Sequence, residues 1–133
     1  MRRITESDYE WIMMAVIYGG GEKGADIDAL ISAADYVNHA LPDYDTCKAG
    51  IKFLLRKGII KIVGESVVIS EEVKQKYLAA RSNRSVKNWE LCRRIIEDHL
   101  EIADNAEGQE NQFINEHKYE TALQNYLDRN RVL

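Results

Sequence analysis

The amino-acid sequence predicts a mainly α-helical chain with one β-hairpin, which places it in the α+β class. Apolar residues recur at helical spacing over most of the chain. Two short runs of β-branched residues flank Gly64 and Glu65, as the strands of a hairpin do. A polar stretch then separates this part from two further helical patterns. We therefore expect a first domain over residues 1–80 and a C-terminal helical hairpin over 81–133, serving in packing or dimerisation.

The first helix is expected to begin near Thr5. Thr5 and Asp8 have the spacing of a capping box, and an apolar run follows them. Few polar positions interrupt that run, so the helix is expected to be buried on more than one side. Glycines 19–21 end it, because glycine makes helix continuation costly. Lys23 follows the glycines, but the spacing of a phosphate-binding loop is absent, and we interpret this segment as a connector.

The second and third helices are expected to be joined by a very short turn. The second covers about 26–39, and Pro42 prevents its continuation. Asp43 can cap the third helix, which runs to about Lys57 and ends at Gly58. Two helices joined in this way form the helix-turn-helix pattern.

A β-hairpin is expected directly after the third helix. Residues 59–63 and 66–69 are rich in β-branched side chains, and the two residues between them fit a tight turn. A fourth helix is expected over about 71–80, since the two acids at its start favour a helix N-terminus.

Two amphipathic helices are predicted in the remainder of the chain. Ser85 can cap a helix over about 86–103, and a last helix is expected over about 110–130. A short polar loop joins them, which is typical of a helical hairpin.

Composition excludes several classes of protein. The chain has 133 residues, of which 45% are hydrophobic and 30% charged, in the ordinary globular range. Its formal net charge of −4 argues against a protein that simply coats nucleic acid, so any DNA contact must depend on a local basic patch. Cys47 and Cys92 lie in apolar helical patterns and are expected to be reduced and buried.

The sequence predicts a cytoplasmic protein without a membrane partner. Arg2 and Arg3 could begin a signal peptide, but acidic residues follow before any apolar run. No apolar stretch approaches the roughly 20 residues of a membrane-spanning helix.

Catalytic and metal-binding signatures are weak. Cys92 and His99 are seven residues apart on a predicted helix, and His117 could approach them across the hairpin. No Cys-x-x-Cys or His-x-x-x-His pair reinforces such a site, so histidines that hydrogen-bond at helix interfaces are the preferred interpretation. We expect no catalytic residues, no metal and no cofactor.

The third helix carries the longest acid-free basic stretch of the chain. Its apolar residues share one face, and Lys48, Lys52 and Arg56, four residues apart, form a stripe on the flank. Lys57 and Lys61 extend this stretch, and these five residues are the candidate nucleic-acid contacts. A solvated helix face remains the alternative interpretation of the stripe.

Three features of the same region point away from DNA. Asp43 and Asp45 occupy the end of the third helix that would meet base edges, where carboxylates repel phosphates. Phe53 is predicted to face outward, and an outward aromatic side chain more often contacts protein. Glu65 lies at the tip of the hairpin, where a DNA-binding protein would gain from a basic residue.

The block over residues 26–70 resembles the winged helix-turn-helix family. Residues 51–60, with two leucines before Gly58, are similar to the end of a recognition helix that runs into its wing. Residues 34–42 look like a run found in small bacterial winged-helix proteins without assigned activity. The resemblance implies DNA binding and often dimerisation, with contacts from the basic stripe and from Lys61 in the wing.

Two functions follow as hypotheses. The first is a dimeric winged-helix DNA-binding protein that regulates transcription by binding double-stranded DNA. The second is a non-enzymatic protein-interaction module on a winged-helix scaffold that does not bind DNA, with Phe53 as a contact. Apolar residues of the C-terminal helices are expected to form a homodimer contact: Trp89, Ile96, Leu100, Phe113 and Leu127.

Overall fold

A computed structural model describes residues 3–21, 23–82, 87–104 and 113–130. These residues form six helices and one antiparallel hairpin, so the α+β class is confirmed. In chain order the elements are α1 (Glu6–Gly20), α2 (Ile27–Asn38), α3 (Tyr44–Arg56), β1 (Ile60–Val63), β2 (Ser66–Ile69), α4 (Glu71–Arg81), α5 (Asn88–His99) and α6 (Glu116–Arg129).

Local capping explains where the first three helices begin. The backbone N–H of Thr5 donates to Asp8 Oδ2 at 2.8 Å, as the capping-box spacing predicted. Asp26 and Asp43 each accept a hydrogen bond from the backbone N–H three residues later, at 2.8 and 2.7 Å. Gly58 follows α3 with a φ of 72°, a conformation that glycine adopts without steric cost. The predicted bounds in this part of the chain are therefore confirmed to within about two residues.

The hairpin is attached to the connection between α1 and α2. Gly64 adopts a φ of 63° in the predicted two-residue turn between β1 and β2. Ala25 forms one antiparallel bridge pair with Val67 on the free edge of β2, through two hydrogen bonds of 2.8 and 2.9 Å. This pairing holds β2 from both sides.

Helix α1 lies at the centre of the core, as its apolar sequence predicted. It packs against α2, α3 and α5. Where it approaches α3, a Cβ added to Gly50 would lie only 2.6 Å from Cγ1 of Ile12. The absence of a side chain at Gly50 is what allows the two helices to come this close.

The bounds of the C-terminal helices differ from the prediction. Helix α5 ends at His99, four residues earlier than expected. Helix α6 begins at Glu116 because Asn115 caps it, accepting a hydrogen bond from the backbone N–H of Lys118 at 2.8 Å. The predicted cap Ser85 and residues 105–112, where the last helix was expected to begin, lie outside the described residues.

The expected helical hairpin of α5 and α6 is wrong. Among the described residues, α5 packs mainly against α1 and α4, whereas α6 packs mainly against α2 and, to a lesser extent, α3. The apolar faces of both helices complete one continuous core with the first 80 residues. Burial against a larger apolar surface therefore outweighs pairing with the neighbour in sequence. The predicted boundary at residue 80 does not separate two cores.

Candidate interaction surfaces

The basic stripe of α3 is present but only partly accessible. Lys48, Lys52 and Arg56 are each half-buried on the flank of the helix. The ammonium group of Lys48 lies 5.8 Å from the centroid of the Tyr44 ring, within the range of a cation–π contact. The stripe presents positive charge, but each of its three side chains is partly covered by the chain itself.

Lys57 makes hydrogen bonds and an ion pair within the chain that the sequence did not predict. Its Nζ donates to the carbonyl oxygens of Leu100 and Ile102 at 3.1 and 2.7 Å, and it forms an ion pair of 3.0 Å with Asp104. Its side chain is 14% exposed. These contacts fasten the segment after α5 to the end of α3. The ammonium group of Lys57 is therefore engaged within the chain, which weighs against the predicted nucleic-acid contact there.

Lys61 lies apart from the stripe. It is exposed on β1, and its neighbours in the strand, Ile60 and Ile62, alternate to the opposite face and pack in or against the core. It lines a cavity of about 230 Å³ together with Lys23, Glu71 and others. No residue of α3 is among the described residues that line this cavity, so the structure does not bring Lys61 together with the stripe.

Helix α6 lies against the beginning of α3. The hydroxyl of Tyr119 donates to the carbonyl oxygen of Pro42 at 2.6 Å, and its ring centroid lies 5.8 Å from that of Tyr44. Burial raises the pKa of Tyr119 to about 12, so the hydroxyl keeps its proton as a donor at neutral pH. The same helix borders the hairpin tip, because Glu65 and His117 line one cavity.

The charges around this end of the molecule are mainly acidic. Asp43 and Asp45 are exposed at the start of α3, and Glu65 is exposed at the hairpin tip. In a winged-helix DNA reader these are the positions nearest to DNA, and carboxylates there repel phosphates.

The outward orientation predicted for Phe53 is wrong. Its ring stacks on that of Tyr9, with centroids 4.0 Å apart and planes 4° from parallel. Phe53 is half-buried and packs against the core, because α1 passes beside this face of α3. The ring contributes to helix packing and is not presented as a free contact for a partner.

The predicted dimer contacts are divided between core and surface. Ile96 and Phe113 are only 1% and 3% exposed and are covered by the chain itself. The predicted dimer contact is therefore wrong for these two residues, which belong to the core. Leu100 and Leu127 are exposed, and Trp89 is half-buried at the start of α5. Three of the five therefore remain available to a partner.

The structure contains an aromatic surface that the sequence did not predict. We define it by Tyr18, Tyr36 and Trp89. The rings of Tyr18 and Tyr36 meet edge to face with centroids 6.3 Å apart, and Tyr36 is 74% exposed. One feature of the sequence could have indicated this surface: Tyr36 does not lie on the apolar face of α2, which Leu30 and Ala34 define.

Two cavities, of about 430 and 390 Å³, adjoin the aromatic surface. Tyr18 and Tyr36 line both, and Trp89 lines the first. The described lining residues include no Asp, Glu, Lys or Arg, although 30% of the whole sequence is charged. Depletion of charge and enrichment of aromatic side chains are typical of the centre of a protein interface.

The cysteines and the buried histidine have structural environments. The pKa values of Cys47 and Cys92 are both raised to about 12, mainly because the thiols are buried. Neither thiol is therefore activated as a nucleophile. Nδ1 of His99 lies 2.7 Å from the carbonyl oxygen of Ile95. Within the described ranges, no three His, Cys, Asp or Glu side chains are grouped in a way that could hold a metal ion.

Comparison with known proteins gave no relative: no protein-family model, curated protein or solved structure matches this chain. Among the described helices, none has both the length and the apolarity needed to cross a membrane.

Proposed function

We propose that this chain is a non-enzymatic protein-interaction module on a winged helix-turn-helix scaffold, and that its partner is a second copy of itself. The observation that carries the proposal is the exposed Tyr36, which lies at the centre of an uncharged aromatic surface.

The order of elements supports the scaffold. Helices α2 and α3 are joined by a short turn, and the hairpin follows α3 directly, which is the order in the family that the sequence resembles. The bridge pair between Ala25 and Val67 anchors the hairpin against the helices. The hairpin then occupies the place of a wing.

The lack of charge at the aromatic surface is compatible with a second copy as its occupant. Two chains of net charge −4 repel each other, but two uncharged patches can meet without burying an unpaired charge. A two-fold axis would bring the same patch of both copies together. Within the described residues, neither the Tyr36 hydroxyl nor the Trp89 indole N–H has a hydrogen-bond partner, so both can donate across the interface.

Sedimentation velocity over a series from micromolar to millimolar protein tests the proposal. We expect the native chain to reach the mass of a dimer and the Tyr36→Ser variant to remain a monomer. Leu78→Ser is the matched control, because Leu78 is also an exposed apolar residue but lines neither of the two cavities beside this surface. A native chain that stays monomeric throughout, or a Tyr36→Ser variant that dimerises normally, would overturn the proposal.

DNA binding is the second candidate, and the basic stripe favours it. Lys48, Lys52 and Arg56 still present positive charge along one flank of α3. The position of α6 beside the start of α3, and the acids there, speak against base reading. Fluorescence anisotropy with random duplex DNA at low salt separates the two functions. Salt-dependent binding that Lys52→Glu plus Arg56→Glu abolishes would support DNA binding, whereas its absence would support the interaction module.

A further inference from the structure

His39 lies beside the aromatic surface, directly after the last residue of α2. It lines the cavity of about 430 Å³ together with Tyr36 and Trp89, and it is exposed. Its backbone adopts a φ of 53°, and its N–H donates to the carbonyl oxygen of Asp35 at 2.6 Å, which closes the end of the helix. This cap holds the backbone of His39 next to the surface that we assign to the dimer.

Among the described residues that line the two cavities, His39 alone is of a type that changes charge between about pH 8 and about pH 5. An imidazole gains a proton in this range. Tyrosine is the other titratable residue type in the lining, and it ionises only in much stronger base. The surface therefore changes from uncharged to positively charged as the solution becomes weakly acidic.

The helices on one side of His39 provide no free carboxylate for such a charge. The nearest acid in the sequence of α2 is Asp35, and its Oδ2 accepts a hydrogen bond from the hydroxyl of Tyr126 on α6. Helix α1 has no charged residue from position 11 to its end at Gly20. No residue of α6 is among the described residues that line the cavity.

Helix α5 offers no carboxylate either. Lys87 and Glu90 flank the two residues of α5 that line the cavity, but neither of them is in the described lining. Glu90 is paired with Arg94 on its own helix, with 3.0 Å between Oε1 and Nη2. Within the described part of the chain, the His39 side chain has no hydrogen bond or ion pair. A proton on His39 is therefore not balanced by a neighbouring acid.

We propose that protonation of His39 dissociates the dimer, so that the two copies are joined at about pH 8 and separate in weak acid. The inference rests on the proposed function, because His39 acts only where two copies meet. A two-fold axis would bring the His39 of both copies into one interface. Two like charges would then lose their water without gaining a partner, which is costly.

Protonation also has an opposite effect, which is smaller. It reduces the net charge of −4 on each chain and so weakens the repulsion between the two copies. That repulsion acts through solvent and is screened over about 8 Å at physiological ionic strength. The charge on His39 acts inside the contact, where solvent is excluded, so dissociation is the expected net result.

Sedimentation velocity at about pH 8 and about pH 5.5, at one ionic strength, tests the proposal. We expect the dissociation constant of the native dimer to rise about tenfold or more in acid. The His39→Asn dimer should change less than about twofold, because asparagine cannot be protonated and tolerates the left-handed conformation of this position. His39→Gln is a second uncharged variant, in case asparagine itself weakens the dimer.

His117→Asn is the matched control and should keep the native response to acid. His117 is an exposed histidine of α6 that lines neither cavity beside the aromatic surface. The third histidine, His99, is buried and is unchanged in every variant. Circular dichroism at both pH values checks that all chains stay folded.

The outcomes separate this inference from the proposed function. A native dimer that is equally strong or stronger at about pH 5.5 would overturn the role of His39 and leave dimerisation intact. An equal loss of the dimer in native, His39→Asn and His39→Gln chains would do the same. A native chain that is monomeric at both pH values would overturn the proposed function, and this inference with it.

Discussion

Tyr119 donates its hydroxyl hydrogen to the carbonyl oxygen of Pro42 across 2.6 Å, although the two residues are 77 positions apart in the chain. This bond attaches α6 to the turn between α2 and α3. In a winged-helix DNA reader that turn leads into the end of the helix that meets the bases. The contact is therefore a main reason to favour a protein partner over DNA.

Tyr119→Phe is expected to lower the free energy of unfolding by about 1–3 kcal/mol, because the buried Pro42 carbonyl loses its donor while the ring is retained. Urea unfolding followed by circular dichroism measures the change. Tyr36→Phe is the matched control, since the Tyr36 hydroxyl has no hydrogen bond within the described residues and should be dispensable for stability. Equal effects of the two substitutions would contradict the assignment.

Lys57→Met is expected to destabilise the fold by about 0.5–1.5 kcal/mol, because it removes the hydrogen bonds from the ammonium group to the exposed carbonyl oxygens of Leu100 and Ile102, which water then hydrates. Lys61→Met should change stability by less than about 0.5 kcal/mol, as is usual for an exposed side chain. Both are measured by urea unfolding. If Lys57 served only as a surface charge, the two variants would behave alike.

Gly50→Ala is expected to lower stability, although alanine is the better helix former. The added Cβ would lie 2.6 Å from Cγ1 of Ile12, and such overpacking costs about 1–3 kcal/mol. The higher helix propensity of alanine offsets only about 1 kcal/mol of this cost. Ala49→Gly in the same helix should also destabilise, by about 1 kcal/mol, through propensity alone. Thermal unfolding of both variants checks this, and a stabilised Gly50→Ala chain would refute the close approach of α1 and α3.

Glu10→Gln is expected to stabilise the chain at neutral pH, with a gain that shrinks in acid. Burial raises the pKa of Glu10 above its ordinary 4.5, while the partly exposed Arg93 at 3.8 Å only partly opposes this shift. The folded state thus binds a proton more tightly than the unfolded state. Native stability therefore falls as pH rises from about 4.5 through the raised pKa.

Urea unfolding at a series of pH values measures the difference between native and Glu10→Gln chains. Glu120→Gln, which alters an exposed acid of α6, is the control and should show no comparable trend. A pH-independent difference for Glu10→Gln would mean that Glu10 has an ordinary pKa.

The sequence by itself determined the local structure up to about residue 81. Thr5 with Asp8, Asp26 and Asp43 act on backbone groups a few positions away, so their spacing predicts the helix starts. The turn at Gly64 likewise depends on adjacent residues. Such short-range hydrogen bonds can be inferred from spacing because no distant residue has to be located first.

Only the tertiary structure decided the roles of the surface residues. Lys57 was interpreted as a DNA contact, but its partners lie 43 to 47 positions later. Phe53 was assigned outward, but Tyr9 from α1 stacks on it. Tyr36 gained importance from the cavities that other helices form beside it. Helical periodicity shows which residues share a face, but the neighbour that covers a face depends on how distant helices pack.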